Sequence, residues 1–303
     1  MSRTFVTEPL AAVVAHVRAC IATEGSATIE VPDPDLGQGQ YPGECSGEGQ
    51  TARRHRPLRV WTDLADRLEL RLHTPVRRDS MIALSFSKLD PAATLLQRNV
   101  RGPGKYAPSS GFGRVSKLED PDFLIDFDDA LERCALGPRP RVLSLGVNRG
   151  DELVPVLDRH DDAVCTGIDH DAEALGVARE RLGAQHRFIE SDLNELPELP
   201  RHDLVVCIDT LQSPGVEDRV LLRHMVQNLL EPRGCVILGL PNCRYLDGEL
   251  LHGTRMVNFR QPELSLLLKA AAFYKKYFQQ HHKRVFVTGK HELLITAIPR
   301  DPA

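Results

Sequence analysis

No run of apolar residues in the 303-residue sequence approaches the roughly 20 needed to cross a bilayer, so no helical membrane span is expected. The opening MSRTFVTEPL has no secretory pattern, and the expectation is a cytoplasmic protein without a membrane partner. None of the seven cysteines forms a CxxC pair. Cys165, Cys207 and Cys235 lie inside apolar runs, where a small buried thiol is the simpler reading than a disulfide or a zinc site. No cluster of metal-ligating residues stands out either, and no metal is expected. What is present is enough apolar sequence, 42% of residues, to bury a substantial core, which predicts one large domain and a smaller one.

The net charge of −4 conceals an uneven distribution. Residues 51–117 carry 14 Lys and Arg against 5 Asp and Glu, so the remainder of the chain is acidic. A basic block of that kind suits a polyanion such as nucleic acid, and it equally suits an ordinary solvated face that happens to include RRHR at 53–56. In the first half, residues 8–22 predict a helix and residues 27–31 a strand. The Gly/Pro-rich stretch 32–50 predicts a loop. LRVW (58–61), LELRL (68–72) and MIALSFS (81–87) predict strands, with a turn at PVRRDS. Residues 1–117 therefore read as a smaller N-terminal α+β domain, with a possible role in substrate recognition.

From residue 118 the pattern becomes regular. Asp120 as N-cap and Pro121 at the first helical position open a helix that closes before Gly137-Pro138. Strands at 141–146, 163–169, 186–191, 202–209 and 235–242 alternate with helices at about 151–160, 172–183 and 217–234, as in a parallel sheet covered on both faces. After a helix at 262–282, strands at 283–289 and 291–299 are separated by too few residues for a crossover, so they must form an antiparallel hairpin. The predicted fold class is α/β: a seven-stranded, mostly parallel, doubly wound sheet with one reversed strand in a C-terminal hairpin.

Chemistry concentrates at the strand ends. The stretch LSLGVNRGDEL (143–153) takes a strand through Gly146, Asn148 and Gly150 into an acidic helix start, a turn that lets the backbone approach a nucleotide closely. Asn148 tolerates a left-handed backbone where a middle glycine is otherwise expected. Asp169 ends the second strand, 23 residues after Gly146, where an acidic side chain accepts hydrogen bonds from ribose hydroxyls. Asp192 ends the third strand and can accept from an adenine amino group, beside the backbone amide of Leu193.

These residues resemble the Rossmann-like S-adenosylmethionine-dependent methyltransferases. VLSLGVNRG (142–150), GIDHD (167–171), ESDLNELP (190–197) and DLVVCIDTLQ (203–212) stand where that family has its successive motifs. The resemblance spans about residues 118–303 and implies S-adenosyl-L-methionine as cofactor. It places Leu145, Gly146, Val147, Asn148 and Gly150 at the donor turn, Asp169 and His170 at the ribose, Asp192 and Leu193 at the adenine, and Asp209, Thr210 and Leu211 beside the sulfonium. Two positions depart from the family pattern: Ser144 replaces an acidic residue and Asn148 a glycine. Asp151 or Glu152 could take over from the missing acid.

The donor is already activated, so the protein's task is alignment in a dry pocket. If the acceptor is a hydroxyl or a protonated amine, Asp209 or His252 is the candidate base. Asp209-Thr210-Leu211-Gln212 lacks the Pro-Pro-aromatic run of base-amine methyltransferases, and the context expected for a Cys243 nucleophile is missing too. Tyr106, Arg114, Lys117, Arg244, Tyr245 and Arg255 supply charge and aromatic surface for an acceptor, which reads slightly better as a small molecule than as RNA. The rival classes are a nicotinamide dehydrogenase, opposed by the absence of GxGxxG, and an inactive binding protein on the same fold.

Overall fold

The computed structural model describes residues 2–36, 39–90, 110–254 and 262–300. By contact the chain divides into two compact units, Met1–Thr94 with Tyr245–Leu251, and Leu95–Arg244 with His252–Ala303.

In the first unit, β1 (Arg3–Thr4) pairs in parallel with β2 (Ser26–Pro32), which follows helix α1 (Leu10–Glu24). A two-residue ladder joins β3 (Cys45–Ser46) to β4 (Arg53–Arg54). Residues 58–61 do not form the expected strand. They begin helix α2 (Leu58–Leu68), started by Pro57 at the N-cap position. The deciding signal is the spacing of Trp61, Leu64 and Ala65, which puts all three on one buried face; four β-prone residues read alone could not reveal it. Strands β5 (Leu70–Leu72) and β6 (Val76–Arg78) both pair with β7 (Met81–Lys88). The segment expected to be only a turn is thus a tight hairpin, closed through Asp79 in the left-handed region at φ 52°. The core gathers Val13, Val17, Ile29, Val31, Trp61, Leu84 and Phe86.

The second unit opens with α3 (Pro121–Cys134), where Asp120 caps the helix by accepting from the Asp122 amide at 3.0 Å. Strand β8 (Arg141–Leu145) leads through a 3₁₀ turn (Asp151–Leu153) to α4 (Val154–Arg159), β9 (Val164–Asp169), α5 (Ala172–Leu182) and β10 (Arg187–Glu190). Next come β11 (His202–Ile208), α6 (Asp218–His224) and β12 (Leu230–Pro241). The helix expected over 217–234 stops early. One π turn (Met225–Leu229) follows α6, and the chain is extended from Leu230, because Pro232 has no amide to donate and disfavours helix in the residue before it. Strands β13 (Cys243–Leu246) and β14 (Glu249–His252) form a hairpin before α7 (Ser265–Gln280), β15 (Lys283–Gly289) and β16 (Glu292–Pro299).

The large sheet runs β10-β9-β8-β11-β12-β16-β15. Six strands are parallel in direction, and β16 alone is reversed, pairing antiparallel with both β12 and β15. This is the seven-stranded architecture expected from the sequence. The period-2 alternation of buried strand residues feeds two cores. Val142, Leu204 and Val206 face Phe127, Leu131 and Leu175, while Leu143, Val205 and Cys207 face Leu221, Met225 and Phe278. Strand order reverses between β8 and β11, and the carboxyl ends of those two strands bound the crevice where such sheets hold ligands. Among the described residues, no helix is long and apolar enough to cross a membrane.

Candidate active site

Buried Val142, Leu143 and Leu145 hold β8 in the sheet up to Gly146. The following turn uses left-handed backbone three times: Gly146 at φ 74°, Asn148 at 44° and Gly150 at 77°. A Cβ on Gly146 would lie 2.1 Å from Thr210 Oγ1, so only glycine fits beneath Thr210, two residues beyond β11. The turn is also tied to β9. The amides of Gly146 and Val147 both donate to the Ile168 carbonyl, at 2.8 and 3.0 Å, and the Asn148 amide donates to Asp169 Oδ2 at 2.8 Å. Leu145 and Val147 are fully buried and reach the site through their backbone only.

Asp169 is buried, and Oδ1 accepts from the Asp171 amide at 3.1 Å with His170 Nδ1 at the same distance. Each carboxylate oxygen has two lone pairs, so these bonds orient Asp169 and leave it acceptor capacity. The exposed His170 lies beside it. Asp192 is exposed beyond β10 and accepts from the Asn194 amide at 2.8 Å, while Leu193 packs partly into the α6–α7 core. The Asn194 side chain donates to Gly215 O and accepts from the Glu217 amide, pinning this turn to the loop before α6. A lone Asn in a loop gave no sign of that role.

The densest chemistry lies at the end of β11. Asp209 adopts φ 54°, an uncommon conformation for a residue with a side chain. Lys117, from a 3₁₀ turn (Lys117–Glu119), bonds Asp209 and also reaches Glu292 Oε2 at 2.6 Å on β16. Gly239 makes this possible, because a Cβ there would lie 2.7 Å from Glu292 Oε1. Burial alone would lower the Lys117 pKa, but the two carboxylates outweigh it and hold the ammonium protonated well above its ordinary range. Burial and the Asp209 charge raise Glu292 well above the usual carboxylate range. Burial likewise pushes Glu152, behind the glycine turn, up to about 7. Cys207 and Cys243 are pushed up to about 12, also by burial, which leaves neither a thiolate at neutral pH.

Glu292 was missed in the sequence because it sits 80 residues beyond the last motif, which ends at Gln212, on a strand recognised only for its direction. Thr210 Oγ1 donates to Ile208 O at 2.9 Å, and Leu211 is buried. His252 ends β14, its ring 6.2 Å from that of His291, which contacts Asp120 at 3.2 Å. Arg244 donates to the carbonyls of His252 and Gly253 at 2.7 and 2.6 Å, which gives its guanidinium a bracing role within the chain. Tyr245 falls in the first unit, and Arg114 is exposed in a short 3₁₀ turn (Phe112–Arg114). Tyr106 and Arg255 lie outside the described residues.

A pH dependence follows from Glu152. Its folded pKa lies above the ordinary value of 4.5, so its favourable contribution is complete below about 4.5 and is lost as pH rises toward 7. Urea titrations from pH 4.5 to 8 should show Glu152→Gln losing less stability across this window than the parent protein. Parallel curves would show that Glu152 ionises freely.

Residues 142–234 match the family model of a methyltransferase domain. No curated protein sequence matches the chain. A methyltransferase of Aquifex aeolicus described as SAM-dependent is similar in structure at 17% identity and TM-score 0.44, covering 61% of this chain and 97% of its own. Magnesium protoporphyrin IX methyltransferase from Synechocystis PCC 6803, solved with bound SAM, is similar at 17% identity and TM-score 0.43, covering 66% and 99%. A putative methyltransferase in complex with the Haloferax volcanii Trm112 activator gives 14% identity and TM-score 0.45, covering 63% and 95%. The sheet order and the match identify residues 142–234 as a methyltransferase domain on a Rossmann-like sheet.

Proposed function

We propose that this enzyme methylates a small molecule, with the donor seated at the switch point between β8 and β11. The observation that carries this reading is the convergence of the Gly146–Gly150 turn and Asp169 at one strand edge, tied together by the bond from the Asn148 amide to Asp169. In it, Asp169 accepts from the ribose hydroxyls, Asp192 and the Leu193 amide meet the adenine, and Thr210 and Leu211 border the sulfonium. The acceptor attacks the methyl carbon in line with the departing sulfur, and alignment in a water-poor pocket supplies most of the rate. Asp209, a quarter exposed and beside this edge, is better placed to meet an acceptor than the well-buried Glu292.

Small molecules are favoured over RNA because much of the basic block is already neutralised. Arg71 pairs with Asp247 and Glu249, Arg77 with Asp33 and Asp35, Arg78 with Glu30, and Lys117 with Asp209 and Glu292. Arg54 and Arg56 donate to main-chain carbonyls. A phosphate backbone needs unpaired cations, and its binding must weaken steeply as salt rises. Residues 1–117 are assigned to acceptor recognition and the protein to the cytoplasm, in keeping with its free thiols.

Titration calorimetry with S-adenosylmethionine and with NAD tests the assignment: only the first should bind. Asp169→Ala should weaken that binding at least tenfold, about 1.4 kcal/mol, by removing a charge-assisted bond to ribose. Undiminished affinity would remove Asp169 from the donor site. Filter binding of RNA in a salt series should give weak, flat retention.

A further inference from the structure

Three side chains of metal-ligating type meet where α3 begins and the β15–β16 hairpin turns. His291 Nδ1 lies 3.2 Å from Asp120 Oδ2 and 3.8 Å from Asp122 Oδ2, and one ligand atom from each of the three lies within 4.8 Å of the others. Asp120 and His291 are 171 positions apart, so no sequence motif announces the group. Its members are held in place from outside. Asp120 spends Oδ1 on the Asp122 amide at 3.0 Å, which leaves Oδ2 turned to the imidazole. Asn242, just after β12, grips the hairpin turn: its main-chain amide donates to His291 O at 2.9 Å and its side-chain Nδ2 to Lys290 O at 2.7 Å. The group can also be reached from solvent, since 43% of the Asp122 side chain is exposed, against 12% and 13% for Asp120 and His291.

We propose that Asp120, Asp122 and His291 form a binding site for one divalent first-row transition ion, Zn²⁺ or Mn²⁺, with water in the remaining positions. A ring nitrogen carries either one proton or one lone pair. Protonated, Nδ1 can point its N–H at only one of the two carboxylates beside it. Neutral, with the proton on Nε2, it turns a lone pair toward Asp120. A cation between them satisfies all three groups at once. Ligand atoms about 2.1 Å from an ion stand about 3.4 Å apart in a tetrahedron, and the two nitrogen–oxygen separations, 3.2 and 3.8 Å, bracket that value. Asp122, the most exposed of the three, can close the remaining gap by a side-chain rotation. One imidazole and two carboxylates suit Zn²⁺ or Mn²⁺ better than Ca²⁺, which prefers an all-oxygen shell, or Cu⁺, which prefers sulfur. Lys290 Nζ, 3.1 Å from Asp122 Oδ2, belongs to a half-exposed ion pair of the kind that contributes little, so it yields to a doubly charged ion. Because β16 is reversed, its first residues lie beside the carboxyl end of β12, with Glu292 opposite Pro241. The ion therefore sits at the edge where such sheets hold ligands and ties the start of α3 to the hairpin. His252, with its ring centre 6.2 Å from that of His291, borders the site without belonging to the set.

The test uses the full chain, stripped with EDTA, dialysed, and titrated with ZnCl₂ and MnCl₂ by calorimetry. Each ion should bind at one site and raise the urea midpoint, since an ion held only by the folded chain stabilises it. Asp122→Asn and His291→Gln should each weaken Zn²⁺ binding at least about tenfold and lose the rise in midpoint, while their metal-free midpoints report that they are folded. Should His291→Gln fail to fold, Asp122→Asn, at a half-exposed carboxylate, carries the same expectation. Replacing His281 and His282 together by Gln, at the end of α7, should leave the affinity unchanged. Co²⁺ loaded in place of Zn²⁺ should give visible d–d bands without the near-ultraviolet band of a thiolate ligand, although Cys243 lies close enough to feel the charge of Asp120. Failure of the parent protein to bind either ion would overturn the proposal, as would undiminished affinity in a folded ligand variant. A thiolate band, or binding lost with His281 and His282 but kept without His291, would place the ion elsewhere in the chain and overturn it equally.

Discussion

Lys117→Met should destabilise the protein by about 3–5 kcal/mol near neutral pH, the usual cost of removing one partner from a buried ion pair. Methionine keeps most of the apolar stem, so the loss isolates the ammonium. Asp209 and Glu292 would then face each other without the cation that joins them, and the proton affinity of Glu292 must rise further. A carboxyl whose folded pKa is raised contributes stability at low pH that is lost as pH rises, so the deficit should shrink toward pH 5 and widen toward pH 8. Urea unfolding at several pH values measures both effects. Adding Asp209→Asn to Lys117→Met should recover a large part of the loss, because the second variant removes the carboxylate that the first left without its cation. A parent-like urea midpoint for Lys117→Met at pH 7 would refute the cluster as described.

The second large effect is expected at Gly146. Its φ of 74° costs any residue with a Cβ about 1–2 kcal/mol, and a Cβ placed 2.1 Å from Thr210 Oγ1 adds an overpacking cost of about 1–3 kcal/mol. Gly146→Ala should therefore be destabilised by about 3 kcal/mol, and its affinity for S-adenosylhomocysteine should fall as the turn is forced away from Asp169. The two contributions can be separated. Thr210→Ala removes both Oγ1 and Cγ2, the two nearest atoms, so the double variant should keep the backbone cost and only the milder 3.0 Å contact with the remaining Cβ. If the double variant is no more stable than Gly146→Ala alone, the contact with Thr210 is not what excludes a side chain.

Much of the large domain was legible because local and global signals agree there. Asp120 and Pro121 announce α3, apolar runs of strand length alternate with helical spacing, and the short link between β15 and β16 permits only a hairpin. Where signals conflict, tertiary contacts decide. The stretch 58–61 is β-prone by composition, yet Trp61 is fully buried as the first residue of a helical face continued by Leu64 and Ala65. The long helix expected over 217–234 counts apolar residues correctly but not the break at Pro232, and its last apolar residue, Leu230, belongs to β12 instead.

The site divides along the same line. Gly146, Asn148, Gly150 and Asp169 lie within two βα units, so spacing alone could bring them together, as it does with the expected left-handed backbone at Asn148. Lys117, Asp209 and Glu292 come from a 3₁₀ turn, the end of a parallel strand and the start of the reversed one. No local periodicity relates them. The amino-acid order by itself determined the strand and helix alternation, the reversed hairpin and the glycine turn, because each depends on backbone conformation over a few neighbouring residues. Only the tertiary structure decided that a lysine from the start of the domain shares its charge with a carboxylate near the end. That partnership depends on the sheet placing β16 beside β12, where Gly239 leaves room for Glu292.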